Sequence, residues 1–145
     1  MKPSGTLAAA VILAGLAGAG CGTSKPPNVA TAQQLAARIA AKGAGCTDFA
    51  ASDVASAAGS TNASGGACTV SGGRLALAVY QSAAERDKGQ VELLKGCIGR
   101  RAVNPSSTGT YAFAKGPTWV VLSADERPVA AASRALHTSV QKSPC

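Results

Sequence analysis

Residues 67–85 read ACTVSGGRLALAVYQSAAE, and the fold turns on how they are parsed. Ala67-Cys68-Thr69-Val70 predicts a short strand, and Ser71-Gly72-Gly73 a hairpin turn. Arg74–Tyr80 predicts the return strand, with Leu75, Leu77 and Val79 alternating onto one face. Ser82-Ala83-Ala84-Glu85 then has the form of a capping box. In such a box the Ser hydroxyl and the Glu carboxylate satisfy backbone N–H groups that a helix start leaves free. The helix it opens is expected to carry Val91, Leu94 and Ile98 inward. The stretch is a ββα unit.

A second unit emerges on moving 43 residues forward. Cys68 and Val70 then fall on Tyr111 and Phe113, and Gly73 falls on Gly116. Leu77 and Val79 fall on Val120 and Leu122, in the strand Thr118–Leu122. Ser82 falls on Asp125, a good N-cap for a helix with Val129, Leu136 and Val140 on one face. Pro128 suits the first turn of that helix, where a missing N–H does no harm. Two such units predict an α+β fold, a two-layer sandwich. It has an antiparallel sheet of about four strands with the helices on one face. Upstream, Thr31–Lys42 predicts a helix capped by Thr31, with Ala32, Leu35, Ala36 and Ile39 on one side and Gly43 and Gly45 as its stop. Cys46–Phe49 reads as an extended piece, and residues 50–66 as a low-complexity loop. Residues 31–145 are expected to form a single α+β domain.

The front of the chain has another purpose. Met1 and Lys2 precede an uncharged run, Leu7–Gly20, of fourteen residues, against roughly 20 for a spanning helix. A charged start, a short apolar run and small residues before a cut site describe an export signal over residues 1–20. Ala19-Gly20-Cys21 resembles the lipobox of bacterial lipoproteins; the leucine usual three residues before the cysteine is Gly18 here, with Leu16 two residues further back. That resemblance implies a diacylglycerol on the Cys21 thiol, cleavage just before it, acylation of the new amino group, and a cell-membrane location on the extracytoplasmic face. Ordinary secretion, cut after Ala17-Gly18-Ala19, is the competing reading. Five cysteines are an odd number, and lipidation of Cys21 leaves four for disulfides. Residues 21–30, with Pro26-Pro27, form a short solvated tether.

Aromatic residues make up 3% of the chain, so the core must be built from small side chains with disulfides in support. Loss of Lys2 with the leader leaves 13 basic against 7 acidic side chains. That excess draws the protein towards anionic lipid headgroups or acidic wall polymers. No basic run exceeds Arg100-Arg101 and none is interleaved with aromatics, so no nucleic-acid partner is expected.

His137 is the only histidine, and no nucleophile elbow or C-x-x-C accompanies it. No catalytic residue, metal site or cofactor is expected, and His137 reads as a structural residue. The acids Asp48, Asp53, Glu85, Asp87, Glu92, Asp125 and Glu126 are scattered, with Glu85 and Asp125 explained as helix starters. Trp119 alternates with Val120, so if Val120 and Leu122 face the helices, Trp119 and Val121, with Tyr80, are a candidate exposed binding face of the sheet; with the faces swapped, Trp119 is itself a core residue.

Taken together, the lipobox, the tether, the GCTDF (45–49) and GACTV (66–70) cysteines and the late TWVVLS strand (118–123) carry a likeness. The chain resembles the small Ala/Gly-rich lipoproteins of high-GC Gram-positive, actinobacterial type. Most of these have no assigned activity, so the likeness implies location and architecture. The expected function is a non-enzymatic binding or interaction module of the envelope, its partner an envelope protein, anionic lipid or wall polymer. The alternative is a small-molecule or lipid carrier with a cleft between sheet and helices.

Four cysteines allow three pairings, of which Cys46–Cys68 and Cys97–Cys145 are expected. The first closes the low-complexity loop, worth about 3 kcal/mol for a loop of roughly twenty residues. The second joins the ends of two helices on one face. Non-reducing digestion with mass spectrometry should yield these two linked peptides; a peptide joining Cys68 to Cys97 or Cys145 would refute the scheme.

Overall fold

The computed structural model describes residues 24–53, 60, 62–103 and 109–144, the side chains of 96–103 excepted. The export signal and Cys21 lie outside the described residues, as do Cys145 and the side chains of Cys97 and Ile98. The elements in order are α1 (Ala32–Ala41), β1 (Thr47–Ala51), β2 (Ser64–Val70), β3 (Gly73–Val79), α2 (Ala83–Val103), β4 (Thr110–Lys115), β5 (Trp119–Ser123), α3 (Glu126–Leu136) and β6 (Gln141–Pro144). All six strands form one antiparallel sheet in the order β1-β2-β3-β5-β4-β6. The fold is α+β as expected, but the sheet has six strands and not about four. The two extra strands are its edges.

The local rules hold at each helix start. Thr31 Oγ1 accepts from the Gln34 N–H at 3.2 Å, and Asp125 Oδ1 from the Arg127 N–H at 3.0 Å. At α2, Ser82 Oγ accepts from the Glu85 N–H while the Glu85 carboxylate accepts from the Gln81 N–H. The β2–β3 hairpin pairs Cys68 with Leu75 and Val70 with Gly73. Ser71 and Gly72 adopt positive φ in the turn between them.

The helices do not share a face. Leu75, Leu77 and Val79 of β3 and Trp119 and Val121 of β5 pack with α1 (Leu35, Ile39) and α3 (Val129, Leu136). Ala78, Tyr80, Val120 and Phe113 form a separate cluster with Leu93 of α2. Side chains alternate along a strand, so the two clusters lie on opposite sides of the sheet. The cause is local. β3 ends towards Tyr80, which points to one side. β5 ends at Ser123, which points to the other, its hydroxyl donating to the Arg74 carbonyl at 2.7 Å.

The 43-residue match is therefore one position out. Leu77 pairs with Val121 and Val79 with Trp119 across β3 and β5; a one-residue slip exchanges the faces. On α2, Val91 is 51% exposed, and Leu93 and Leu94 face the sheet in its place. The last helix stops at Leu136, short of Val140, because His137 takes the left-handed conformation at φ 54°. The His137 and Thr138 N–H groups fold back onto the carbonyls of Arg134 and Ser133. Val140 then enters the edge strand β6, partly buried against the core.

With few large side chains available, close approach replaces bulk. A Cβ on Gly89 of α2 would lie 2.5 Å from the Tyr80 ring, which is itself buried. In an exposed helix Gly→Ala gains up to about 1 kcal/mol. Here Gly89→Ala should lower the urea midpoint of unfolding, and a raised midpoint would show that α2 does not rest on Tyr80.

Candidate functional site

Trp119, Val121 and Tyr80 do not form an exposed binding face. Trp119 and Val121 are fully buried under α1 and α3, and Tyr80 is buried on the other side beneath α2. Helices cover the middle of both faces of the sheet, where these three side chains lie. Desolvation raises the Tyr80 pKa above its usual value, and its hydroxyl has no hydrogen-bond partner among the described residues.

Trp119 has a structural task. Its indole Nε1–H donates to the carbonyl of Pro27 at 2.8 Å, across 92 positions of sequence. Gly116 leaves room for the ring, since a Cβ there would stand 2.2 Å from it. Val29 packs on the core, and the Ala30 N–H donates to Gln34 Oε1 at 2.9 Å. Residues 27–30, expected as a free tether, are thus docked. Arg86 of α2 secures the same corner by donating to the carbonyls of Gly116 and of Pro117, the latter at 2.9 Å.

Cys46 and Cys68 are bridged, with Cα atoms 5.5 Å apart. This is the pairing expected for these two cysteines. Cys97 and Cys145 cannot be paired on geometry, as both lie outside the described side chains. The two helices, expected on one face, cover opposite faces of the sheet.

The described acids remain dispersed, and no three residues among His, Cys, Asp and Glu converge to hold a metal. A hydrogen bond from Arg86, strengthened by the charges of Arg86 and Lys115, holds the Asp87 carboxyl below its usual pKa. Asp125 is lowered in the same way by Arg127, whose own pKa is raised in return. These are helix-start and surface pairs at 2.8 Å.

Three spaces among the described residues bear on binding, two of them open and one more enclosed. A groove of about 690 Å³ beside the docked tether is lined by Asn28, Gln34, Asn62, Gln81 and Thr118, all uncharged. The space between α2 and the sheet, where a carrier would hold an apolar ligand, is about 20 Å³. Ligand pockets run to roughly 300–1,000 Å³, so this one gives a carrier no room.

The third is basic. A cleft of about 360 Å³ lies between the end of α1, the β2–β3 turn and the second half of α3, lined by Lys42, Gly43, Ser71, Arg134 and His137. Lys42, Arg134 and His137 are exposed, and none has an ion-pair or hydrogen-bond partner for its side chain among the described residues. No carboxylate lines the cleft. Lys42 follows α1 and Arg134 sits in the last turn of α3, where cations complement a helix dipole. The two helix ends contribute about half a negative charge each, against two full positive charges, so the cleft stays positive. Sequence reading could not assemble it, because its cations come from two helices 92 positions apart and from no motif. Such a cleft can hold an anion by charge-assisted hydrogen bonds.

Comparison with protein-family models, with curated proteins and with solved structures finds no match for this chain. Its function therefore rests on its own residues. Trp119→Phe keeps a ring but removes the donor to Pro27. It should cost about 1–3 kcal/mol and speed limited proteolysis within residues 24–30; unchanged cleavage there would show that the indole does not hold the tether.

Proposed function

We propose that the protein is an extracytoplasmic lipoprotein, anchored to the cell membrane through lipid on Cys21, which acts as a non-enzymatic binding module of the envelope. The observation that supports binding is the cleft around Lys42, Arg134 and His137, which brings two cations together, each without a side-chain partner among the described residues, in a concavity with no carboxylate among its described lining. A side chain held in an ion pair gains little at the surface. Cations left free beside a concavity are available to an outside anion. The excess of 13 basic over 7 acidic side chains that remains without Lys2 adds a long-range pull towards polyanions of the envelope.

The anchor follows from the apolar run ending at Cys21 and from the even number of cysteines that its lipidation leaves. The docked tether suits that reading, because the fold takes up the chain a few residues after the lipidated position. No helix among the described residues is long and apolar enough to cross a membrane.

Cys21→Ser should leave the chain unprocessed or release it into the medium, as fractionation and immunoblotting would report. A variant still processed and still membrane-held would overturn the anchor.

A further inference from the structure

We infer that the basic cleft takes phosphodiester groups of a polymer lying outward from the membrane, and not the phosphate headgroups of the membrane that holds the protein. This inference rests on the lipid-anchored reading and adds the ligand and its side of approach.

The chemistry of the lining selects the ligand. Arg134 presents a planar fork of N–H donors, Lys42 an ammonium, and Ser71 a hydroxyl, with the His137 imidazole beside them. All of these can donate to the several oxygens of a phosphodiester, and none is occupied by another side chain among the described residues. A guanidinium matches phosphate geometry in bidentate fashion. A volume of about 360 Å³ accommodates a short piece of such a polymer, and its repeated charge makes each further contact intramolecular.

The tether selects the direction. Pro27 is held by Trp119 at the start of β5, and it lies six Cα-to-Cα steps from Cys21. Fully extended, those six reach at most about 20 Å. The pinned corner includes the start of α1, where the Ala32 N–H donates to Ser64 Oγ at the beginning of β2. Lys42 and Ser71 stand at the other ends of these elements. Ten residues of α1 make about 15 Å, and seven of β2 make about 23 Å. The groove next to the tether is lined by amides, and the charged cleft opens beyond it.

The test uses the lipidated full-length chain reconstituted in phosphatidylcholine vesicles, with soluble poly(glycerol phosphate) as the probe and co-sedimentation as the readout. The polymer should bind, weaken with added salt, and lose about tenfold or more in affinity in the Lys42→Glu/Arg134→Glu double variant. Lys42→Gln/Arg134→Gln, which introduces no repulsive charge, should lose part of that affinity with an unchanged circular dichroism melt, separating a lost site from a lost fold. Absence of polymer binding to the wild type, or equal binding by the folded variants, would overturn the inference. So would polyglutamate binding as tightly as the phosphodiester. Loss of polymer binding on adding phosphatidylglycerol to the same vesicles would assign the cleft to headgroups and overturn the outward direction. The anchor fails by a different result, the processing and retention of Cys21→Ser.

Discussion

The structure depends on seating its few large rings over glycines. Trp119 lies over Gly116, Tyr80 over Gly89 and Phe49 over Gly66, and in each case a single added carbon would stand within 2.6 Å of the ring. An aromatic side chain buries roughly 150–250 Å², so three such contacts supply much of the large apolar surface in a chain where Ala and Gly abound. Each joins separate pieces. Phe49 brings β1 against β2, Tyr80 brings α2 onto the sheet, and Trp119 binds the β4–β5 turn and the tether to the centre. Dense packing requires this, since interiors tolerate few voids and small side chains cannot span wide gaps. The helices must come close, and glycine at the point of contact lets them.

Where the sequence was legible, a local rule decided the outcome. Thr31, Ser82 and Asp125 marked the three helix starts, and each caps as its side chain demands. The Ser71–Gly73 turn and the alternation of Leu75, Leu77 and Val79 likewise placed the central hairpin. What failed was the relation between units. Both β3 and β5 carry apolar residues on both sides, so alternation alone could not say which side each helix would cover, nor whether Trp119 was exposed or core. The end of α3 was missed because histidine, where glycine is usual, takes the left-handed cap. A helix run on to Val140 leaves only residues 141–145 after it, with no apolar alternation to mark the strand β6. The cleft was illegible for a different reason: its cations are neighbours only after α1 and α3 pack on the same face.

The two edges of the sheet, of which sequence reading gave only the extended piece Cys46–Phe49, are weak strands. β6 spans four residues, ends in Pro144 and carries Lys142, whose ammonium pairs with Glu126 at 2.7 Å. β1 has an irregular register between Thr47 and Ala50, with Asp48 at φ 54°. Short length, a proline, a charge and a bulge each discourage another chain from adding to a sheet edge.

The bridge between Cys46 and Cys68 has a covalent consequence for a domain held by its N-terminus. Only one peptide path runs from Cys21 to the central strands, and it passes through the segment between the two bridged cysteines. A protease that cuts that segment once would sever the path, yet the bridge would still tie the N-terminal fragment, with its anchor and α1, to β2 and everything after it. With the lipid anchor proposed at Cys21, nicking would leave the molecule on its membrane, and shedding would require reduction as well.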